Sequence, residues 1–359
     1  MATTSSTDLQ VCDRSALLVA AIVLAAASAC GGTSRPPSAL RVADLHVDAV
    51  YWRHYRGRSL TLKNTGSESQ VSARGLRRGG VQLLVLSLYL DSGLRPATHT
   101  YGDFDALLTT ADAMVAANSD LFGGPHAIKY LFSVEGCHAL VGHEHKLPLL
   151  VQRGVAIFGL THSLHNALAD SSTDPRKGRG GLTARGIQFA HEVYRAGGLI
   201  DVSHASDEAF ADIAAVALTH KAPLLATHSN TRALTAHRRN LTDDQLRAVA
   251  ASGGLVGIAF HSRLLWTGRG PASTADVVRH IRHAIEIAGP RHVAIGSDLD
   301  GKIKPARGLS THAGLAELAH ALIESGISRE TLGLVLSGNA QRVLAPLLAQ
   351  RTSMPYLQL

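Results

Sequence analysis

The chain has 359 residues, of which 45% are hydrophobic and only 4% aromatic, with 20 histidines and a formal net charge of +7. That supplies one large apolar core at a length that a single α/β barrel fills, and so few aromatics argue against a sandwich built on aromatic pairs. The basic residues are dispersed, in small clusters at Arg53–Arg58, Arg74–Arg78 and Arg176–Arg179, without the stripe or reader motif that a nucleic-acid partner needs.

The chain opens with an apolar run, Ala16–Ala27, that follows Arg14 and ends in small residues before Cys30. It is shorter than the roughly 20 residues that cross a bilayer. A short apolar region followed by small residues is a secretory pattern, and with a cysteine at the break it resembles a bacterial lipoprotein signal. That resemblance implies a signal peptide over residues 1–29, cleavage before Cys30, a lipid on Cys30, and a membrane partner at the cell envelope. Simple secretion and an uncleaved segment are the other readings. Residues 30–41, with Pro36 and Pro37, read as a tether. The odd set of cysteines, Cys12, Cys30 and Cys137, gives no disulfide framework, and Cys137 reads as a small buried residue.

From Leu40 onward, eight short apolar runs alternate with helical segments: Val42–Val47, Val81–Tyr89, Ile128–Val134, Val155–Leu160, Leu199–Val202, Pro223–Ala226, Leu255–Phe260 and Val293–Ile295. This alternation predicts a parallel sheet. Between the runs, Thr242–Gln245 forms a capping box ahead of a helix that ends at Gly253 and Gly254. Ser206–Glu208 opens another helix, Asp276–Ala288 is amphipathic, and a closing helical stretch covers Leu315–Leu348. The connections Tyr89–Ile128 and His162–Leu199 are long. The second contains Asp174–Gly181, which is expected to be mobile. The barrel domain is placed at residues 42–347 and a tail at 348–359.

Six of the eight runs stop at or just past His, Asp or Glu. Polar residues at one end of successive strands are how a (β/α)8 TIM barrel builds its catalytic mouth. His46 and Asp48 share one strand face and can point at one centre. Glu135 ends the third run, where a carboxylate with two oxygens can bridge two metals and Gly136 permits a close approach. His204 and His228 are imidazoles on adjacent strands, a donor type that suits zinc, and Asp201 is a candidate for the acceptor behind them or for a buried cap. His162 reads as a further ligand or an oxyanion donor. Asp298 can orient water, move protons or hold an amine, whereas Asp300 reads as structural.

Taken in order, these segments resemble the membrane (renal-type) dipeptidases, the M19 metallopeptidases, within the amidohydrolase-like barrels. The likeness runs from about Ala43 to Val343. It includes His46/Asp48, Glu135–Gly136, Leu160–His162 with Asn166 and Ala169–Asp170, Asp201–His204, Thr227–Ser229, His237–Asn240, Gly296–Gly301 and Gly338–Val343. The resemblance implies a dipeptide substrate, with a homodimer as a further possibility. It also implies two zinc ions bridged by Glu135 and a hydroxide, one held by His46, Asp48 and Glu135 and the other by Glu135, His204 and His228. His162 is then expected to contact the substrate carbonyl, Arg239 to bind the C-terminal carboxylate, and Asp298 to hold the amine and carry the proton. Arg238 reads as surface packing.

Leu45, Val47, His165 and His261 depart from the usual family pattern without removing a ligand, so side-chain preference is open. The runs ending near Tyr89 and Phe260 carry no assigned ligand, and those ends, with the long loops, are expected to set that preference. Some relatives accept a D-residue at the C-terminal side, and some open β-lactam rings. Two rival readings keep the barrel: an amidohydrolase acting on N-acyl amino acids or other amides, and an envelope-binding lipoprotein without catalysis.

Overall fold

The computed structural model describes residues 40–63, 69–91 and 98–351, all within one compact unit that begins at Ala39. The leader, most of the tether and Cys30 lie outside the described residues, as does the chain beyond Arg351.

Eight parallel strands close into a barrel in sequence order. They are β1 (Val42–Val47), β2 (Val81–Tyr89), β3 (Lys129–Glu135), β4 (Val155–Gly159), β5 (Leu199–Asp201), β6 (Leu225–Ala226), β7 (Leu255–Ile258) and β8 (Val293–Ile295). The bridge between Asp44 and Ile295 closes the ring. Each strand falls on a predicted apolar run, and the runs are continuous rather than alternating because both faces are covered: β1 and β4 are buried at every residue.

The crossover helices start where their caps dictate. In α1 (Ala49–Arg56), Gly57 ends the helix in the left-handed region at φ 62°. The β2–β3 connection, expected as a long loop, contains the helix α2 (Tyr101–Ala116), opened by a Thr100–Asp103 capping box. Helix α3 (Ala184–Arg195) follows β4, and Ser206 caps α4 (Asp207–Thr219). Thr242 and Gln245 form the expected reciprocal box on α5 (Asp243–Ala251). Helix α6 (Thr274–Ala288) starts two residues before the predicted position, because the Asp276 carboxylate accepts from Ser273 N–H (2.8 Å) and Ser273 Oγ–H (2.9 Å). The closing stretch is broken at Ser325–Ser328 into α7 (Leu315–Glu324) and a helical run from Arg329 whose last part is α8 (Asn339–Gln350), which continues past the expected boundary at 347.

The stretch Asp174–Gly181 is tied to two buried carboxylates. Asp170 accepts from the amides of Arg179, Gly180 (2.9 Å) and Gly181 (3.1 Å), and Asp174 accepts from His165 N–H at 2.7 Å. Two carboxylates satisfied by backbone amides give this segment a fixed path where its Gly and Arg content predicted mobility.

The strands on the β5–β8 side are only two to four residues long. Beyond their ends, side chains join the backbone in the cross-strand bonding. Thr227 N–H donates to Asp201 Oδ1 (2.9 Å), His228 N–H to Ser203 Oγ (3.1 Å), Ala259 N–H to Asn230 Oδ1 (3.0 Å) and Ser297 N–H to Asp44 Oδ1 (2.8 Å). This rim of bonds lies at the strand ends that carry the chemistry.

Candidate metal centre

Five side chains predicted as ligands converge at the C-terminal mouth of the barrel. His46 Nε2 lies 3.4 Å from Asp48 Oδ2 and 3.8 Å from Glu135 Oε1. The same Glu135 oxygen is 2.9 Å from His204 Nε2 and 3.3 Å from His228 Nε2, and the two imidazole nitrogens are 3.0 Å apart. Glu135 therefore sits between two groups of donors, one with His46 and Asp48 and one with His204 and His228. All but His204 are among the buried residues.

Local sequence features allow this crowding. Gly136 has φ 91°, and a Cβ there would press on the His138 ring at 3.3 Å, so Glu135 is followed by the one residue that takes this turn easily. A Cβ on Gly301 would fall 2.3 Å from Asp298 Oδ1 and 2.8 Å from Asp48 Oδ2. Asp298, Asp300 and Lys302 all adopt the left-handed region, at φ 63°, 66° and 57°, an uncommon conformation for residues with a side chain. Asp300 is structural, as expected. Its Oδ1 accepts from Gln70 N–H (2.8 Å), its own N–H donates to Gln70 Oε1 (2.7 Å), and its carbonyl accepts from Trp52 Nε1 (2.6 Å).

The donor set fits divalent metal. His46 Nε2 and Asp48 Oδ1 are buried without a hydrogen-bond partner among the described residues, which costs free energy unless a cation meets them. Burial, with nearby charges, holds the His204 and His228 imidazoles well below their usual range, so they are neutral and have lone pairs to give. Burial pushes the Glu135 carboxyl up, but His162, His46 and His204 outweigh it and hold the group well below the usual range. Burial lowers His46, yet Asp48 and Glu135 reverse that and raise it to about 10. Metal binding to His46 therefore competes with a proton. Asp298 is raised well above the usual carboxyl range, by burial first and then by Asp48.

A cavity of about 730 Å³ opens over this cluster. Arg239, 94% buried, reaches it from the loop after β6 and donates through Nη2 to His228 O (3.2 Å) and through Nη1 to Ser229 Oγ (3.5 Å). His162 presents Nε2 3.9 Å from Glu135 Oε2, while its Nδ1 pairs with Ser163 Oγ at 3.0 Å. Burial lowers His162, and a neutral ring that accepts the Ser163 proton at Nδ1 carries its own proton at Nε2, facing the cavity. His237, His261 and Arg263 also line the cavity, and burial, followed by Arg239 and Arg263, takes His261 down to about 4. Arg238 is exposed, as expected. Leu45 and Val47 are buried in the core, and His165 Nδ1 accepts Ser171 N–H at 2.9 Å in the loop. Neither they nor His165 line the cavity.

Sequence reasoning did not find the group beside His162. The Tyr89 ring lies 4.3 Å from it. Tyr51 Oη (2.7 Å) and Tyr89 Oη (3.3 Å) donate to Asp91, and Lys302 Nζ sits 3.1 Å from Asp91 and 4.0 Å over the Tyr51 ring. Only Tyr89 carried a signal, as the last residue of a run without a ligand. A second, larger groove of about 890 Å³ runs past Arg41, Lys129 and Arg351, away from these donors.

Residues 37–355 match the family model described as membrane dipeptidase (peptidase family M19). The dipeptidase aclJ of Aspergillus oryzae is 33% identical over 242 residues, which cover 67% of this chain and 57% of that protein. An uncharacterised protein from the pqqA 5′ region of Klebsiella pneumoniae is 38% identical over 218 residues, or 59% of this chain and 79% of that protein. Among solved structures, a metallopeptidase from Rhodobacter sphaeroides liganded with a phosphinate mimic of the dipeptide L-Ala-D-Ala superposes with a TM-score of 0.73 at 23% identity. It covers 86% of this chain and 99% of that one.

Proposed function

The chain belongs to peptidase family M19, the membrane dipeptidases, and on that premise we propose that it hydrolyses the peptide bond of dipeptides at a zinc pair. His46, Asp48 and Glu135 would hold one ion, and Glu135, His204 and His228 the other. The observation that carries this reading is the single Glu135 oxygen standing 2.9–3.8 Å from three imidazole nitrogens contributed by three strands. Zinc bound there supplies Lewis acidity toward the scissile carbonyl and a water acidified to near neutrality.

The chain's own residues bind, orient and move protons. Arg239, largely buried and planar, is suited to a bidentate grip on the substrate's C-terminal carboxylate, which sets the scissile bond over the cluster. The His162 Nε2 proton faces the cavity and donates to the carbonyl oxygen as negative charge builds on it. Asp298, raised by burial and Asp48, keeps or accepts a proton at neutral pH and delivers it to the leaving amine. The wall of Tyr51, Tyr89, Asp91 and Lys302 adjoins His162, where it would shape the choice of substrate side chain.

A D-residue at the C-terminal side is part of the proposal, supported by the dipeptide mimic carried by the Rhodobacter structure. So is a lipid anchor at Cys30, supported by the leader sequence alone. The test is hydrolysis of a panel of L-Xaa-L-Xaa and L-Xaa-D-Xaa dipeptides with and without chelator. No chelator-sensitive cleavage of any member sinks the reading. Mass spectrometry of the mature N-terminus tests the anchor, and an unmodified Cys30 defeats it.

A further inference from the structure

Thr227 is fully buried behind the metal donors, and its hydroxyl meets more groups than it has protons. Oγ1 contacts Asp201 Oδ2, His228 Nδ1 at 2.8 Å, His46 Nδ1 at 3.3 Å and Ser203 Oγ at 3.3 Å. A threonine hydroxyl has one proton to give and two lone pairs. The proton inventory leaves one arrangement. Asp201 Oδ1 already accepts from Ser203 N–H (2.9 Å), Ser203 Oγ–H (2.6 Å) and Thr227 N–H (2.9 Å), so Thr227 serves Oδ2. Ser203 has spent its proton on Asp201, and its oxygen accepts from His228 N–H. The two lone pairs of Thr227 then face the two imidazoles, and each must arrive as Nδ1–H.

That assignment turns Nε2 of both rings toward the donor cluster. His46 Nε2 looks at Asp48 and Glu135, and His228 Nε2 looks at Glu135. We propose that Thr227 is the positioning residue that sets His46 and His228 together, so that one hydroxyl presents one ligand to each of two metals. This rests on the reading that the two rings serve different ions. His204 makes the contrast: its Nδ1 is buried without a partner among the described residues, and none of them orients it as Thr227 orients the other two rings. Thr227 is itself fixed from behind. A Cβ on Gly257 or on Gly296 would come within 2.1 Å or 1.7 Å of its carbonyl oxygen, so the close approach of these strands needs glycine at both.

The experiment is stepwise zinc binding to the chelator-stripped full chain, followed by calorimetry and metal analysis. For Thr227→Val, which keeps the shape and removes the hydroxyl, both zinc steps should weaken together by about 10–100-fold, and Thr227→Ser should restore both. Weakening of one step alone, or of neither, overturns the proposal. If Thr227→Val does not fold, histidine-selective 15N spectra of the zinc-loaded natural chain decide. Protonated Nδ1 with the metal-induced shift on Nε2 is expected at His46 and His228, and a metal-shifted Nδ1 on either ring overturns the assignment. A chain that takes up no zinc at all refutes the zinc-pair reading instead, so the two failures are distinguishable.

Discussion

Replacing Asp44 by Asn tests the support beneath the metal centre. Asp44 and His312 are both fully buried, with His312 Nε2 2.8 Å from Asp44 Oδ2. Asp44 Oδ1 accepts from Ser297 N–H at 2.8 Å and from His46 N–H at 3.2 Å. Burial pushes this carboxyl up, but the His312 and Ser297 bonds outweigh it and leave it lowered. Asn keeps the shape but turns one acceptor into a donor. Turned toward Ser297 and His46, that donor faces two N–H groups; turned toward His312, it is accepted only if the ring moves its proton from Nε2 to Nδ1, which is buried without a partner among the described residues. Breaking one partner of a buried pair costs about 3–5 kcal/mol, a large share of the roughly 5–15 kcal/mol that holds a folded domain. The assay is urea unfolding of the metal-free chain for Asp44→Asn, His312→Gln and the double variant. Because Gln offers an oxygen that can accept the new Asn amide, the double variant should cost about 1–3 kcal/mol less than the sum of the singles. A loss below about 1 kcal/mol for Asp44→Asn, or strictly additive costs, refutes the argument. For a lowered carboxyl the contribution is present above the unfolded value of 3.8 and is lost as pH falls through the folded value, so the comparison belongs near neutral pH.

Three other outcomes are expected. His280, fully buried, accepts Thr231 N–H through Nδ1 at 3.1 Å and is lowered by burial from 6.5 to about 4. Its contribution is therefore whole above pH 6.5 and lost between 6.5 and about 4, amounting to about 3 kcal/mol at roughly 1.4 kcal/mol per pH unit. Unfolding free energies across that window should fall less steeply in His280→Gln, and equal slopes count against the assignment. Gly296→Ala puts a methyl 1.7 Å from the Thr227 carbonyl, where only backbone can yield. It should lose at least the roughly 1–3 kcal/mol of an overpacked core together with zinc affinity, and a variant of natural stability contradicts the packing. Arg239→Lys replaces a planar fork by a point charge. If one charge-assisted bond worth about 1.5–3 kcal/mol is lost, kcat/KM on dipeptides should drop about 10–100-fold, and an unchanged value removes Arg239 from carboxylate binding.

Much of the architecture was legible because buried parallel strands leave unbroken apolar runs. The boundaries of β1, β2 and β8 fall where those runs begin and end, and His46 with Asp48 could be paired from the two-residue period alone. The end of β7 was overextended by two residues, since Ala259 N–H is held by the Asn230 side chain rather than by a ladder, and β6 begins two residues later than its run. Helix α2 was missed because a long connection reads as a loop when its Thr100–Asp103 cap goes unweighed. Asp201 was legible as a group behind the ligands, but its role through Thr227 was not. Thr227 meets His46 across 181 residues of sequence, and Asp44 meets His312 across 268. No periodicity encodes such contacts; closure of the barrel creates them. The wall of Tyr51, Asp91 and Lys302 was hidden for the same reason.

The side-chain bonds that continue the sheet past β6, β7 and β8 change how the mouth opens to solvent. In a rim held only by backbone ladders, amides near strand ends exchange first, each strand fraying independently. Here the amides of Thr227, His228, Ala259 and Ser297 are held by Asp201, Ser203, Asn230 and Asp44. Three of those four acceptors also bond to one of the donor histidines or to the threonine behind them: Asp201 to Thr227, Ser203 to His228 and Asp44 to His46. Deuterium uptake at these amides should therefore be slow despite their position beyond the strands, and should speed up together, across the β5–β8 half of the rim, when one acceptor is removed.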